Sequence, residues 1–260
     1  MNTNNYNVTD INVKEQFENG FAHRDYLAHL MRWWHILRVV MSGERICDFG
    51  CGNGFLLEVL YRNRSGIGAY VGLDIREQTL KKAIEKWGKL AWAKFINIDL
   101  ILTPFDYSAV RADRVVSFEV MEHVGKQNAE IFLQHFRDCG KPTATYYLST
   151  PNHDAKVGAA DNHTYDSGDG RGVAVQEHTH KELVELIQKF FTIEKKFGTF
   201  ASIKNYKPLM KPWQQEMFSA LSEYYESNMM SILMAPMFPE VARNTLWVLK
   251  RKNNNVVSNN

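Results

Sequence analysis

Apolar positions recur along this chain with two different periods. Between 21 and 42, Phe21, Tyr26, Leu27, Leu30, Met31, Trp34, Leu37 and Val40 fall three and four residues apart, which predicts an amphipathic helix. Beyond it, short apolar runs alternate with helical stretches. Strands are predicted at Arg45–Phe49, Tyr70–Leu73, Lys94–Ile98, Arg114–Phe118, Thr145–Leu148, Phe191–Phe197 and Leu246–Lys250. Helices are predicted at Phe55–Asn63, Glu77–Trp87, Lys126–Asp138 and Thr179–Phe190, the last opening with the capping-box spacing of Thr179 and Glu182. Strands that alternate with helices imply an α/β fold around a mostly parallel, doubly wound sheet. Two segments break the rhythm. Residues 151–177 are rich in Gly, Asp, His and Asn and read as a long loop. Residues 205–243 read as a helical insert before the last strand and hold six of the ten methionines. They pack a small core of their own or form an adaptable lid, a use that flexible thioethers suit.

Composition narrows the class. With 260 residues, 45% hydrophobic and 23% charged, the chain is globular rather than disordered or fibrous. No window has the 18 or more uncharged apolar residues of a membrane span. The Asn-rich start lacks the basic and apolar parts of a secretory leader. Three cysteines, Cys47, Cys51 and Cys139, argue for a reducing, cytoplasmic setting rather than a disulfide framework. Residues 1–20 and 252–260 read as flexible polar tails around a single domain over 21–251. The net charge of +2 names no partner, but Lys195–Gln215 carries five lysines and no acid. Its interleaved Phe197, Phe200, Tyr206 and Trp213 suit a nucleic-acid surface, and an edge strand guarded by solvated lysines has the same pattern.

The most specific chemistry lies in Asp48-Phe49-Gly50-Cys51-Gly52-Asn53-Gly54, which follows a strand and opens a helix. Glycines there permit a tight turn and close approach of a ligand, and the helix start offers free N–H groups. A dinucleotide fingerprint needs a third small residue at position 55, where this chain has Phe55. The pattern D-x-G-x-G-x-G instead resembles motif I of the class I S-adenosylmethionine (SAM)-dependent methyltransferases. Three later signals agree. Asp74 ends the second strand twenty residues past Gly54, where a carboxylate can accept both ribose hydroxyls. Asp99-Leu100 ends the third strand, where the family meets the adenine amino group; a loop cap is the plainer role for Asp99. Glu119-Val120-Met121-Glu122-His123-Val124 resembles motif IV in its E-V-x-E-H-V form.

The resemblance covers residues 44 to about 198. It implies a seven-stranded sheet with an antiparallel last strand, and SAM as cofactor. Asp48, Gly50, Cys51, Gly52, Gly54, Asp74, Ile75, Asp99, Leu100 and Glu119 would line the cofactor site. The Asp/Asn-Pro-Pro-aromatic and Pro-Cys sequences of DNA base methyltransferases are absent, and Cys139 is followed by Gly-Lys-Pro. Attack by a substrate oxygen or nitrogen is therefore favoured. His123 is the candidate general base, with Glu119 beside it; a His at this place also caps the next helix in relatives. The E-x-x-E-H spacing further resembles the metal-binding residues of small-RNA and ubiquinone-pathway O-methyltransferases. Glu119, Glu122 and His123 would hold a divalent ion with His153, His163, His178 or His180. The expected acceptor is a nucleic acid or nucleotide, slightly ahead of a small hydroxylated metabolite, and a non-catalytic SAM-binding module is the alternative.

Overall fold

The computed structural model describes residues 24–63, 66–155 and 175–252. The expected tail over 1–20, all of the expected tail over 252–260 but Lys252, the start of the first predicted helix and residues 156–174 lie outside the described residues. Seven strands form one sheet: β1 (Arg45–Phe49), β2 (Ala69–Asp74), β3 (Ala93–Asn97), β4 (Ala112–Phe118), β5 (Gly140–Pro151), β6 (Phe191–Phe200) and β7 (Asn244–Arg251). Their order is β3-β2-β1-β4-β5-β7-β6. β7 runs antiparallel between β5 and β6, and the other pairings are parallel. The major helices are α1 (Arg24–Val39), α2 (Phe55–Asn63), α3 (Glu77–Trp87), α4 (Ala129–Asp138) and α5 (His180–Phe190).

The central strands are buried on both faces, so their side chains alternate between two cores rather than between core and water. Cys47, Phe49, Val115, Tyr146, Leu148, Trp247 and Leu249 pack with α4 and α5 on one face. Ile46, Tyr70, Val116, Tyr147, Leu246 and Val248 pack with α1, α2 and Trp87 of α3 on the other. This is the doubly wound, seven-stranded fold with an antiparallel last strand that the motifs imply.

Local expectations are adjusted at three places. β5 starts at Gly140 rather than Thr145, because Gly140 pairs with Ala112 across an irregularity in the β4–β5 register. The helix expected from Lys126 begins as a 3-10 turn, Lys126–Asn128, and becomes α-helical at Ala129. β6 continues past Phe197 to Phe200, beside the first residue of β7. The capping box at α5 is present: Glu182 N donates to Thr179 Oγ1 at 3.1 Å and Thr179 N donates to Glu182 Oε2 at 2.8 Å.

The insert contains α6 (Ile203–Tyr206), α7 (Pro212–Ser222) and α8 (Ser227–Leu233). Met210, Met230 and Met234 bury with Tyr206, Ala235 and Phe238 in a separate small core. β6 is an edge strand, and the basic run begins on it. Lys196 is tied to Glu240 at 2.8 Å and lies over the Trp247 ring, while Lys207 lies over Phe218. No helix among the described residues is long and apolar enough to cross a membrane.

Candidate active site

The parallel strands place the carboxyl ends of β1, β2, β4 and β5 along one edge, where open α/β sheets bind ligands. The Gly-rich turn leaves β1 there and folds back over β2. Gly50 N and Cys51 N both donate to Leu73 O, at 2.7 and 2.9 Å. Gly50, Gly52 and Gly54 all have positive φ, at 90°, 52° and 78°. An added Cβ on Gly50 would collide with the Val120 side chain. At Gly52 it would meet nothing nearer than Arg76 Nη2 at 3.6 Å. Gly50 is thus required by packing, while a Cβ at Gly52 would make only ordinary contact with Arg76 and Thr79.

Asp74 closes β2 with a buried carboxylate. Gly52 N donates to its Oδ2 at 2.8 Å and Arg76 N to its Oδ1 at 2.8 Å. The side chain is fixed against the turn by its own neighbours. Asn53 Oδ1 is buried without a hydrogen-bond partner among the described residues. A positive-φ glycine turn, a fixed carboxylate and an unmatched buried acceptor fit a nucleoside cofactor with ribose hydroxyls and amino groups to donate. Asp48 lies behind the turn and accepts from Tyr70 OH at 2.6 Å. Burial lifts its carboxyl to about 7, against the opposing Tyr70 hydrogen bond and with help from Asp74. Cys51 is packed on Gly72, where an added Cβ would stand 2.7 Å from its Sγ. Burial, followed by the charges of Asp48 and Asp74, pushes the Cys51 thiol up, so it stays protonated and unreactive.

At the end of β3, Asp99 takes the role of a loop cap. Its Oδ1 accepts from Ile101 N at 2.9 Å and Leu102 N at 3.1 Å. Leu100 is buried beside it and its carbonyl accepts from Tyr107 OH. Ile75 is half-buried after Asp74, and its carbonyl accepts from Asn97 Nδ2 at 2.9 Å.

The segment after β4 turns the three residues expected to act together towards different partners. Glu119 has φ +57°, an uncommon conformation for a residue with a Cβ. Its carboxylate turns into the protein: Oε1 accepts from Ser149 Oγ at 2.6 Å and lies 3.2 Å from Arg32 Nη1, and Oε2 accepts from Asn244 Nδ2 at 2.8 Å. Glu122 is also buried and accepts from Thr150 Oγ1 at 3.0 Å. Burial first, and then the charges of Glu119 and Glu177, push its carboxyl up. His123 is about one-third exposed, with Nε2 3.8 Å from Glu122 Oε1. Burial outweighs the attraction of Glu119 and holds its imidazole below 6.5.

Among the described residues, no three His, Cys, Asp or Glu side chains converge to hold a metal ion. Glu119 is taken up by Arg32, Ser149 and Asn244. His153 lies beside Asp154 at 3.6 Å, and His180 lies against Lys196 and Trp247. His178 bridges to Asn152, and His163 lies outside the described residues.

Sequence reasoning passed over Arg32, Gln176, Arg243 and Asn244. Gln176 N donates to Glu122 O, and Lys126 N donates to Gln176 Oε1, which fastens the end of the His-rich segment beside residues 122–126. Arg243 holds Glu177 with two hydrogen bonds, at 2.6 and 2.7 Å. Arg32 left one legible sign: it is four residues from Ala28 and from Ile36, which puts a charge on the buried stripe of α1.

A family described as a methyltransferase domain matches residues 21–199, more than half of the chain. The chain belongs to that methyltransferase-domain family. Its sheet is that of a class I SAM-dependent methyltransferase. It is 32% identical over 127 residues to a protein named ubiquinone biosynthesis O-methyltransferase of Thiobacillus denitrificans, covering 47% of this chain and 51% of that one. The chain spans about half the length of the curated relatives it matches. A solved SAM-dependent methyltransferase of Mesorhizobium loti superposes with TM-score 0.55 at 19% identity, over 88% of this chain and all (100%) of that one. The [4+2]-cyclase SpnF superposes with TM-score 0.54 at 14% identity, over 88% of this chain and 80% of that one. These structural likenesses show the fold alone, and the fold carries more than one chemistry.

Proposed function

We propose that this methyltransferase transfers the SAM methyl group to the hydroxyl oxygen of a small acceptor. The observation that carries the reading is His123, a partly exposed imidazole at the carboxyl end of β4, held below its ordinary value and therefore neutral near pH 7. The names of the curated relatives support O-methylation. SAM, when bound, supplies a methyl group activated by its sulfonium. The Gly50–Gly54 turn would receive its amino-acid end, and Asp74 would accept the ribose hydroxyls. The Asp99–Leu100 segment at the end of β3 would lie beside the adenine. His123 takes the proton from the acceptor hydroxyl as its oxygen forms the bond to the methyl carbon and the carbon–sulfur bond breaks. The products are the methyl ether, S-adenosylhomocysteine and a protonated His123.

The lysines that suggest a nucleic-acid acceptor support it less in three dimensions. Lys196 is paired and stacked, and Lys207 is stacked within the insert. The test is an acceptor screen with labelled SAM over pools of hydroxylated metabolites, RNA and DNA, read as S-adenosylhomocysteine formed. Turnover on the hydroxylated pool, lost in His123→Ala, supports the proposal. Turnover confined to RNA or DNA replaces the acceptor class, and SAM binding with no turnover on any pool makes the chain a non-catalytic SAM-binding module.

A further inference from the structure

We propose that Arg32, on the N-terminal helix and outside every recognisable motif, is a positioning residue for the SAM turn and acts through Glu119. Arg32 is 1% exposed. Its guanidinium reaches the ends of three strands: Glu119 after β4 at 3.2 Å, Ser149 on β5 at 3.4 Å and Thr199 on β6 at 3.4 Å. It also lies over the Phe118 ring and bonds His29 Nδ1 at 2.9 Å on its own helix. A charge is not carried on a buried helix face unless it is paired, because desolvation is costly.

Its partner is the residue with the unfavourable backbone. Glu119 at φ +57° is held by its side chain, which Arg32 on α1, Ser149 on β5 and Asn244 on β7 grip from three elements. That backbone sets the direction of Val120, and Val120 closes on Gly50 so tightly that no Cβ fits between them. The chain of contact runs from Arg32 to Glu119, from Glu119 to Val120, and from Val120 to the first glycine of the cofactor turn. Strained residues persist only where their surroundings over-determine them, and they gather at functional sites. Without the guanidinium, Glu119 relaxes, Val120 shifts and Gly50 loses the wall that holds the turn open for SAM.

The inference rests on the reading that SAM occupies the Gly50–Gly54 turn. The test is SAM binding by calorimetry, on the full chain, for the wild type, Arg32→Met, Arg32→Gln, Arg32→Lys, Glu119→Gln and the double variant Arg32→Met with Glu119→Gln, with melting temperatures measured alongside. We expect Arg32→Met and Arg32→Gln to weaken SAM about tenfold or more, and Arg32→Lys to recover most of that loss, because the charge pair is restored. The double variant should bind no worse than the weaker single variant, since both break the same link. Lower melting temperatures with SAM affinity unchanged in Arg32→Gln would overturn the proposal and leave Arg32 a packing residue. Additive losses in the double variant would overturn the route through Glu119. A wild type that binds no SAM would instead sink the cofactor reading, and this proposal with it.

Discussion

Gly50 and Gly52 share a turn and a left-handed backbone, yet the structure separates what an added methyl group does at each. At either position an L-residue pays about 1–2 kcal/mol for the left-handed conformation. Gly50→Ala also drives its Cβ into Val120, whose β-branched side chain has little freedom to rotate away. Overpacking of this kind adds about 1–3 kcal/mol, for a total of about 2–5 kcal/mol. Gly52→Ala meets nothing nearer than 3.6 Å and carries the backbone cost alone. In a chain of this size each kcal/mol lowers the melting temperature by about 2–4 °C. Gly50→Ala should therefore melt clearly below Gly52→Ala. SAM affinity should not follow that order of stability. On the proposed placement of the cofactor, the Cβ of Gly52→Ala stands against it, so this variant should lose SAM binding by tenfold or more while staying folded, roughly a 1.4 kcal/mol effect or larger. Scanning fluorimetry gives the melting temperatures and calorimetry with SAM gives the affinities. Equal melting losses for the two variants would refute the packing argument. Wild-type SAM affinity in Gly52→Ala would refute the placement of the cofactor.

Asp74→Ala should abolish SAM binding measured by calorimetry, since it removes the ribose acceptor and the anchor for Gly52 N and Arg76 N. His123→Ala should cost turnover far more than SAM affinity, and equal turnover would reduce His123 to a helix cap. Because the His123 imidazole is held below 6.5, the acidic fall in turnover should lie below that pH and vanish in His123→Ala. Asp48 keeps its proton up to about 7 in the folded chain and loses it near 4 when unfolded. Its contribution to stability is thus present at low pH and is lost as pH rises from about 4 to about 7. Urea midpoints across that range should fall less steeply in Asp48→Asn, and an unchanged slope would count against a protonated Asp48.

The sequence by itself determined the alternation of strands and helices, the glycine turn, the carboxylate that ends β2 and the cap of α5. Each is fixed by a short-range rule: side-chain period, the φ that glycine permits, or a hydrogen bond three residues along the chain. Only the tertiary structure decided where the polar side chains of the site point. Asp99 lies where the pattern puts it, but its carboxylate is drawn to backbone N–H groups two and three residues on. Glu119, Glu122 and His123 are near-neighbours in sequence, yet one binds Arg32 and Asn244, one is buried on Thr150 and one faces outward. The partners of Glu119 lie 30 residues away at Ser149 and 125 away at Asn244. Such pairings follow from strand order, above all from β7 entering between β5 and β6, and no local spacing encodes that order. The motif marked a stretch of chain, while burial and long-range pairing decided which partners each of its residues takes.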